Sequence, residues 1–301
     1  MGLSGNILIT GGSGTLGHAI LRAAEREHWD CSFTIYSRSE LRQAQMRARF
    51  PRARYILGDV RDYDRLAAAV TGHDAVVHAA AMKRLPDCEA QPVACYQTNV
   101  EGTANVARAC AMHGVQKAVF ISTDKACRSI SAYGSSKQLG EAIWRSYAQH
   151  GQFVGVRYGN VVASNGSVIP LWRKQASMDA PLTLTSPHMT RFWMAPSEAV
   201  QLIVDACYLP PGTFLVPKMH SLSIAEMADI IAPGAPHQVV GLRSVEKPHE
   251  DLVHVDELAS ETLTHFRVGI GEMGHTYTSD SAPRLCRERF LAMLEEAETY
   301  E

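Results

Sequence analysis

A strand that breaks into glycines and then enters a helix opens this chain, and it limits the fold more than any other feature. Asn6-Ile-Leu-Ile-Thr10 reads as a buried strand, Gly11-Gly-Ser-Gly14-Thr15-Leu16-Gly17 follows, and an apolar-periodic helix runs on through Ile20, Leu21 and Ala24. Glycines at a strand-to-helix turn allow a tight bend and a close approach of pyrophosphate to backbone. The helix amino end adds N–H groups and a favourable dipole. In this setting the run is a dinucleotide signal, with Gly11, Gly14, Thr15, Leu16 and Gly17 as the expected cradle.

The rest of the first half keeps the same rhythm. Ser32–Tyr36, Ala53–Leu57, Asp74–His78, Ala118–Ser122 and Phe153–Arg157 read as strands. Between them Asp62 caps a helix through Leu66 and Val70, and longer helices are expected near 92–113 and 131–150. Such alternation predicts an α/β fold, a Rossmann-type doubly wound parallel sheet. After Asn160 the rhythm breaks at Asn165-Gly166, Pro170, Pro181 and Pro187. Helices are expected near 197–208 and 224–231, and Ser279-Asp-Ser-Ala-Pro283 is read as the cap of a final charged helix. The expected division is an NADP-binding domain over 1–164, completed by segments near 189–208, and a smaller substrate-binding region over 165–301.

Cofactor type follows from the second strand, which ends in Ser37-Arg38 without a carboxylate. An Asp or Glu there would hold the ribose 2′-hydroxyl of NAD, whereas Arg accepts a 2′-phosphate, so NADP is expected. Asp59 and Val60 end the third strand where an adenine would rest. Ala79, Ala80 and Ala81 follow the fourth strand and are small enough to let a dinucleotide lie against the backbone.

Thr123-Asp124-Lys125 leaves the carboxyl end of the fifth strand, where open α/β sheets gather their chemistry. Tyr133 and Lys137 lie i, i+4 on the next helix and share a face. An ammonium beside a phenol favours phenolate and lowers the tyrosine pKa. The plain alternatives are a solvated helix pair for Tyr133–Lys137 and a mutual ion pair for Asp124–Lys125.

Composition removes other classes. A net charge of −2 gives no basic footprint for nucleic acid, so no nucleic-acid partner is expected. Seven cysteines without CxxC pairs suggest reduced thiols and a cytoplasmic location. No apolar run reaches membrane-spanning length and no leader precedes the first strand, so no membrane association is expected. His249 and His254 are five apart rather than i, i+4, and no metal site is expected.

These stretches resemble the extended short-chain dehydrogenase/reductases, and among them the inverting UDP-N-acetylglucosamine 4,6-dehydratases of polysaccharide biosynthesis. The resemblance runs from about Ile7 to His254. It rests on Tyr36-Ser-Arg38, Gly58-Asp-Val-Arg-Asp62, His78-Ala-Ala-Ala-Met-Lys83, Thr98-Asn99-Val100, Ser122-Thr-Asp-Lys-Ala126, Arg157-Tyr-Gly-Asn-Val161, Gly166-Ser-Val-Ile-Pro170, Met189-Thr-Arg-Phe-Trp193 and Phe214-Leu-Val-Pro-Lys218. Thr-Asp-Lys is the discriminating triplet, since dehydratases of hexoses lacking the amide typically carry Thr-Asp-Glu. The chain departs at Cys127-Arg-Ser-Ile-Ser131, which lacks the family's proline, and at Gly241–Lys247, which lacks its Pro-Gly.

What the resemblance implies is a cycle on a nucleotide sugar. C4 oxidation with help from Tyr133 and Lys137 makes the C5 proton acidic. Lys125, held neutral by burial, removes it, and Asp124 protonates the leaving C6 hydroxyl while Thr123 positions the sugar. Hydride then returns to C6. It also implies that Asn99 joins the cofactor contacts and that Lys83, Asn160, Val168, Arg191, Arg243 and Glu246 bind substrate. A homo-oligomer is expected, a dimer with a hexamer as the larger form, pairing through the two long helices by Val106, Ala109, Ile143, Trp144 and Tyr147. A 4-epimerase, a dehydratase of different regiochemistry or nucleotide, and a non-catalytic NADP-binding scaffold are the alternatives.

Overall fold

The computed structural model describes residues 2–162, 164 and 168–299, so Asn165 and Gly166 lie outside the described residues. The early apolar runs form strands β1 (Gly5–Thr10), β2 (Cys31–Ser37), β3 (Arg54–Leu57), β4 (Ala75–His78), β5 (Lys117–Thr123) and β6 (Gln152–Tyr158). Every residue of β4 is buried, as befits a strand covered on both faces. Nine strands make the main sheet, in the order Ala259–Glu261, His265–Val268, Phe214–Pro217, β6, β5, β4, β1, β2, β3. From Phe214–Pro217 to β3 all neighbours are parallel. Only the two strands at the far edge pair antiparallel. The chain order reverses between β1 and β4, which opens a crevice at their carboxyl ends.

One apolar cluster packs both faces of this sheet and draws on residues as late as Phe266, Val268 and Ala282. A second joins Val162, Ile169, Trp172, Leu182, Trp193, Leu222, Met227 and Phe290. The fold also buries a charge network. The Arg157 guanidinium is 2% exposed, donates to Glu141 at 2.7 and 3.0 Å and to Glu257 at 2.7 and 2.8 Å, and reaches the Leu252 carbonyl at 2.9 Å. It ties the helix Ala132–Ser146 to the loop beyond Asp251–Val253.

Three local expectations change. The helix expected over 92–113 is α-helical at Pro92–Tyr96, widens to a π-helical stretch at Gln97–Glu101, and resumes at Gly102–Met112. That bulge presents Asn99, whose side chain accepts from Met82 N at 2.8 Å and donates to Met82 O at 2.9 Å and Ser136 Oγ at 2.9 Å. It thereby fixes the loop after β4. Second, Val106, Ala109 and Trp144 do not face outward for pairing: all are fully buried on the sheet, because the apolar stripe of each helix serves the core. Third, Ser279 does not cap the last helix, which begins at Arg287 behind Cys286. Its buried hydroxyl instead bonds Thr190 Oγ1 at 2.6 Å and the Glu250 N–H at 2.9 Å. Among the described residues no helix is long and apolar enough to cross a membrane.

Candidate active site

Glycine chemistry builds the first wall. Gly11 has φ +69°, and a Cβ there would stand 2.7 Å from the Ala80 backbone after β4. At Gly17 a Cβ would meet the Gly12 carbonyl oxygen, so the helix Thr15–Arg26 can start where it does only with glycine. Gly14 is its N-cap and carries no side chain to occupy the first-turn N–H groups. This end opens onto a cleft of about 750 Å³. The cleft is lined by Gly11, Gly14, Thr15, Leu16, Ser37, Arg38, Val60, Ala79, Ala80 and Ala81. Arg42 and Arg84, which the sequence did not single out, stand on it with Arg38 and Lys83. Burial, with Arg42 nearby, draws the Lys83 ammonium below its ordinary pKa. Asp59 does not line the cleft; its carboxylate pairs with Arg61 at 2.7 Å and with Arg38 at 3.5 Å. Gly17 and Asn99 likewise act from behind, by shaping backbone rather than by facing the space.

The opposite wall comes from the end of β5. Thr123 Oγ1 donates to Asp124 Oδ1 at 2.9 Å, and the chain turns through Asp124–Ala126. Lys125 Nζ lies 3.1 Å from Asp124 Oδ1 and 3.0 Å from Glu250 Oε1. Thr123, Lys125, Tyr133, Lys137 and Asn160 line the same cleft. Asp124 sits just beneath: it is fully buried, and a Cβ on cleft-lining Gly159 would come within 3.1 Å of its Oδ2. Ser131 caps the next helix by accepting from Gly134 N at 3.0 Å, which sets Tyr133 in its first turn.

Electrostatics revise two expectations. Burial pulls the Lys125 ammonium down, but Asp124 and Glu250 outweigh it and hold the group above its usual pKa. The lysine is therefore clamped as a cation rather than neutralised. Tyr133 is pushed up to about 12, mainly by burial, with Lys125 opposing. Lys137 does not depress it; its ammonium rides 3.8 Å over the Phe120 ring, and burial draws it down to about 7. Asp124 is raised above the usual carboxylate range, by burial first and by Glu250, against the pull of Lys125.

The expected substrate residues divide. Lys83 and Asn160 face the cleft, but Val168, Arg191, Arg243 and Glu246 do not line it. Val168 opens the helix Val168–Ser177 and packs on the second core cluster. Arg191 donates to the carbonyls of Thr190, Lys247 and Pro248 at 2.7, 3.0 and 3.2 Å, a buried anchor for that segment. Arg243 is exposed and pairs with Glu246 at 3.4 Å. Glu250 is a further member that sequence reasoning missed, because its only signal was its place beside His249.

Known proteins resemble this chain over most of its length. Residues 7–268 match the model of a family described as polysaccharide biosynthesis protein. An inverting UDP-N-acetylglucosamine 4,6-dehydratase of Campylobacter jejuni subsp. jejuni (serotype O:2) is 39% identical, covering 84% of this chain and 78% of that protein. A UDP-glucose 4-epimerase of Rickettsia bellii is 37% identical over 84% of this chain and 79% of its own length. The crystal structure of Pen from Bacillus thuringiensis superposes with a TM-score of 0.89 at 30% identity, covering 96% of this chain and 97% of that one. A glycine cradle and a Thr-Asp-Lys strand end on one doubly wound sheet, with a match over most of the chain, place it plainly: this protein belongs to the polysaccharide biosynthesis protein family, on the extended short-chain dehydrogenase/reductase fold.

Proposed function

We propose that this chain is a nucleotide-sugar 4,6-dehydratase, acting on UDP-N-acetylglucosamine and holding a nicotinamide dinucleotide, NADP in preference to NAD. The observation that carries the reading is the buried Asp124 carboxyl beside Lys125. An epimerase needs only to move hydrogen at C4, whereas a carboxyl held above its usual range can supply a proton to a departing C6 hydroxyl. The dinucleotide fits the cradle because Gly11 and Gly17 leave no room for a Cβ and Gly14 leaves the helix end uncapped by a side chain.

When bound, the nicotinamide supplies hydride acceptance from C4 and hydride return to C6. Tyr133 Oη takes the C4 hydroxyl proton as a phenolate, its own proton having passed to solvent; this is a strong base that its raised pKa makes scarce near neutral pH. The resulting ketone makes the C5 proton acidic. One proton passing from Lys125 Nζ to Asp124 Oδ1, 3.1 Å away, turns the ion pair into a neutral amine and a carboxylic acid. The amine then takes the C5 proton while Asp124 protonates the leaving hydroxyl, so water departs and the ion pair re-forms. Lys125 returns a proton to C5 once C6 is reduced, and a proton from solvent, matching the one that Tyr133 gave up, restores the ion pair. Thr123 orients this acid by its 2.9 Å bond, and Lys83 and Asn160, which line the cleft, meet the sugar nucleotide in this reading.

Incubation with UDP-N-acetylglucosamine is expected to give a product lighter by one water, with deuterium placed on C4 recovered at C6. A C4 epimer of unchanged mass would replace this reading with an epimerase. For the cofactor, Arg38 and Arg42 on the cleft support a 2′-phosphate. Titration calorimetry is expected to show tighter NADP⁺ than NAD⁺ binding, and Arg38→Asp should cost NADP⁺ roughly ten- to a hundredfold, the worth of a charge-assisted hydrogen bond. Tighter NAD⁺ binding by the unaltered chain would rule this preference out.

A further inference from the structure

Behind the Asp124–Lys125 pair stands a carboxylate that the elimination chemistry above does not use. Glu250 is 3% exposed and lies 3.0 Å from Lys125 Nζ and 3.8 Å from Arg191 Nε, with its backbone N–H donating to Ser279 Oγ at 2.9 Å. Its segment clasps the Asp124–Cys127 turn. Lys247 Nζ bonds the Cys127 carbonyl at 2.6 Å and Asp251 at 3.0 Å, and Arg128 approaches Asp251 at 4.0 Å. Among the described residues, Asp124 Oδ2 and Glu250 Oε2 are both buried without a hydrogen-bond partner. Two buried carboxylates thus share one ammonium, and each keeps an oxygen unspent, an arrangement that costs stability unless the chemistry uses it.

We propose that Glu250 is a positioning residue of this centre, a fixed second carboxylate that anchors Lys125 and sets the pH range in which the Asp124–Lys125 pair keeps the one proton that its members exchange. The inference rests on the dehydratase reading. Like charges in one small space cannot both ionise freely, so one carboxyl is raised and the other lowered. Asp124 faces Lys125, Glu250 and the Thr123 hydroxyl, and is raised by burial and by Glu250. Glu250 faces Lys125, Arg191 and Lys247; burial raises it, but these three cations prevail and hold it below the usual range. Lys125 in turn faces Asp124, Glu250, Arg191 and Tyr133. The three groups titrate together. Removing the Glu250 charge lowers both Asp124 and Lys125, by lost repulsion in one and lost attraction in the other, so both effects have the same sign.

The test is the pH profile of water loss from UDP-N-acetylglucosamine. E250Q keeps the volume and an acceptor for Nζ but not the charge, and its profile is expected to move toward acid by about 1–3 pH units, the size of one close charge. E250D keeps the charge and should hold the profile in place with a lower maximum. A role confined to packing would lower the maximum of E250Q without moving its profile, and that result overturns the inference. Should E250Q fail to fold, E250A carries the same test: a profile moved toward acid upholds the role and an unmoved one overturns it. If the unaltered protein loses no water from its substrate at any pH, the dehydratase reading falls and takes this inference with it. Water loss indifferent to the Glu250 charge removes this inference alone.

Discussion

Asp124→Asn is expected to slow water loss by about 10²–10⁴-fold, the range for removing a positioned acid–base group, while C4 oxidation continues. The amide fills the same volume and can still accept from Thr123, which now donates at 2.9 Å. It cannot take a proton from Lys125 or give one to a leaving hydroxyl. Lys125 also loses one of the two carboxylates that hold its pKa up, so exchange of the C5 hydrogen with solvent deuterium persists in the variant. Tyr133→Phe should fail one step earlier, with neither reduced nicotinamide absorbance nor product on mixing with substrate. The contrast is the measurement. Undiminished water loss by Asp124→Asn would take the acid role from this residue, and loss of both partial reactions in both variants would point to a disturbed fold instead.

Arg157→Met carries the largest expected effect on stability, a loss of about 3–5 kcal/mol, typical for breaking a buried ion pair from one side. Burial opposes the Arg157 charge, yet Glu141 and Glu257 hold the guanidinium well above its ordinary pKa. Met fills much of the space but orphans Glu141, which is 2% exposed and keeps only Ser122 Oγ and a 3.5 Å approach from Arg145. Urea denaturation of both proteins would give the difference. Pairing the change with Glu141→Leu should recover part of the loss, because the uncompensated charge goes too. A loss below about 1 kcal/mol for Arg157→Met alone, the worth of an exposed pair, would mean that water reaches the network.

Much of the cleft was legible from local pattern because its chemistry is local. Gly17 is required by a backbone contact within one strand–turn–helix and Gly11 by its φ of +69° at that turn, and Thr123, Asp124 and Lys125 by their place at one strand end. Tyr133 and Lys137 needed only helical periodicity. What could not be read were contacts made across the fold. Glu250 is 125 positions from Lys125, and nothing in the segment from Lys247 to Asp251 says that it will clasp the Asp124–Cys127 turn. Arg191 has the residue type of a phosphate ligand, but the carbonyls of Lys247 and Pro248 claim its donors. Asn99 looked like a cofactor contact until the π-helical stretch turned it onto Met82.

The charge states divide along the same line. Spacing correctly paired Tyr133 with Lys137 on one face, yet it did not say that Phe120 would take the ammonium and leave burial to raise the phenol. The sequence by itself determined the doubly wound sheet and the glycine cradle at its switch point, because strand and helix periods, the positive φ of Gly11 and the contact of Gly17 with Gly12 all act within a few residues. It also brought an acid, two amines and a phenol to the end of β5. Only the tertiary structure decided which of those groups are charged. A pKa is set by burial and by every charge within a few ångströms, and for Lys125 those neighbours come from two distant stretches of chain that meet only when it is folded.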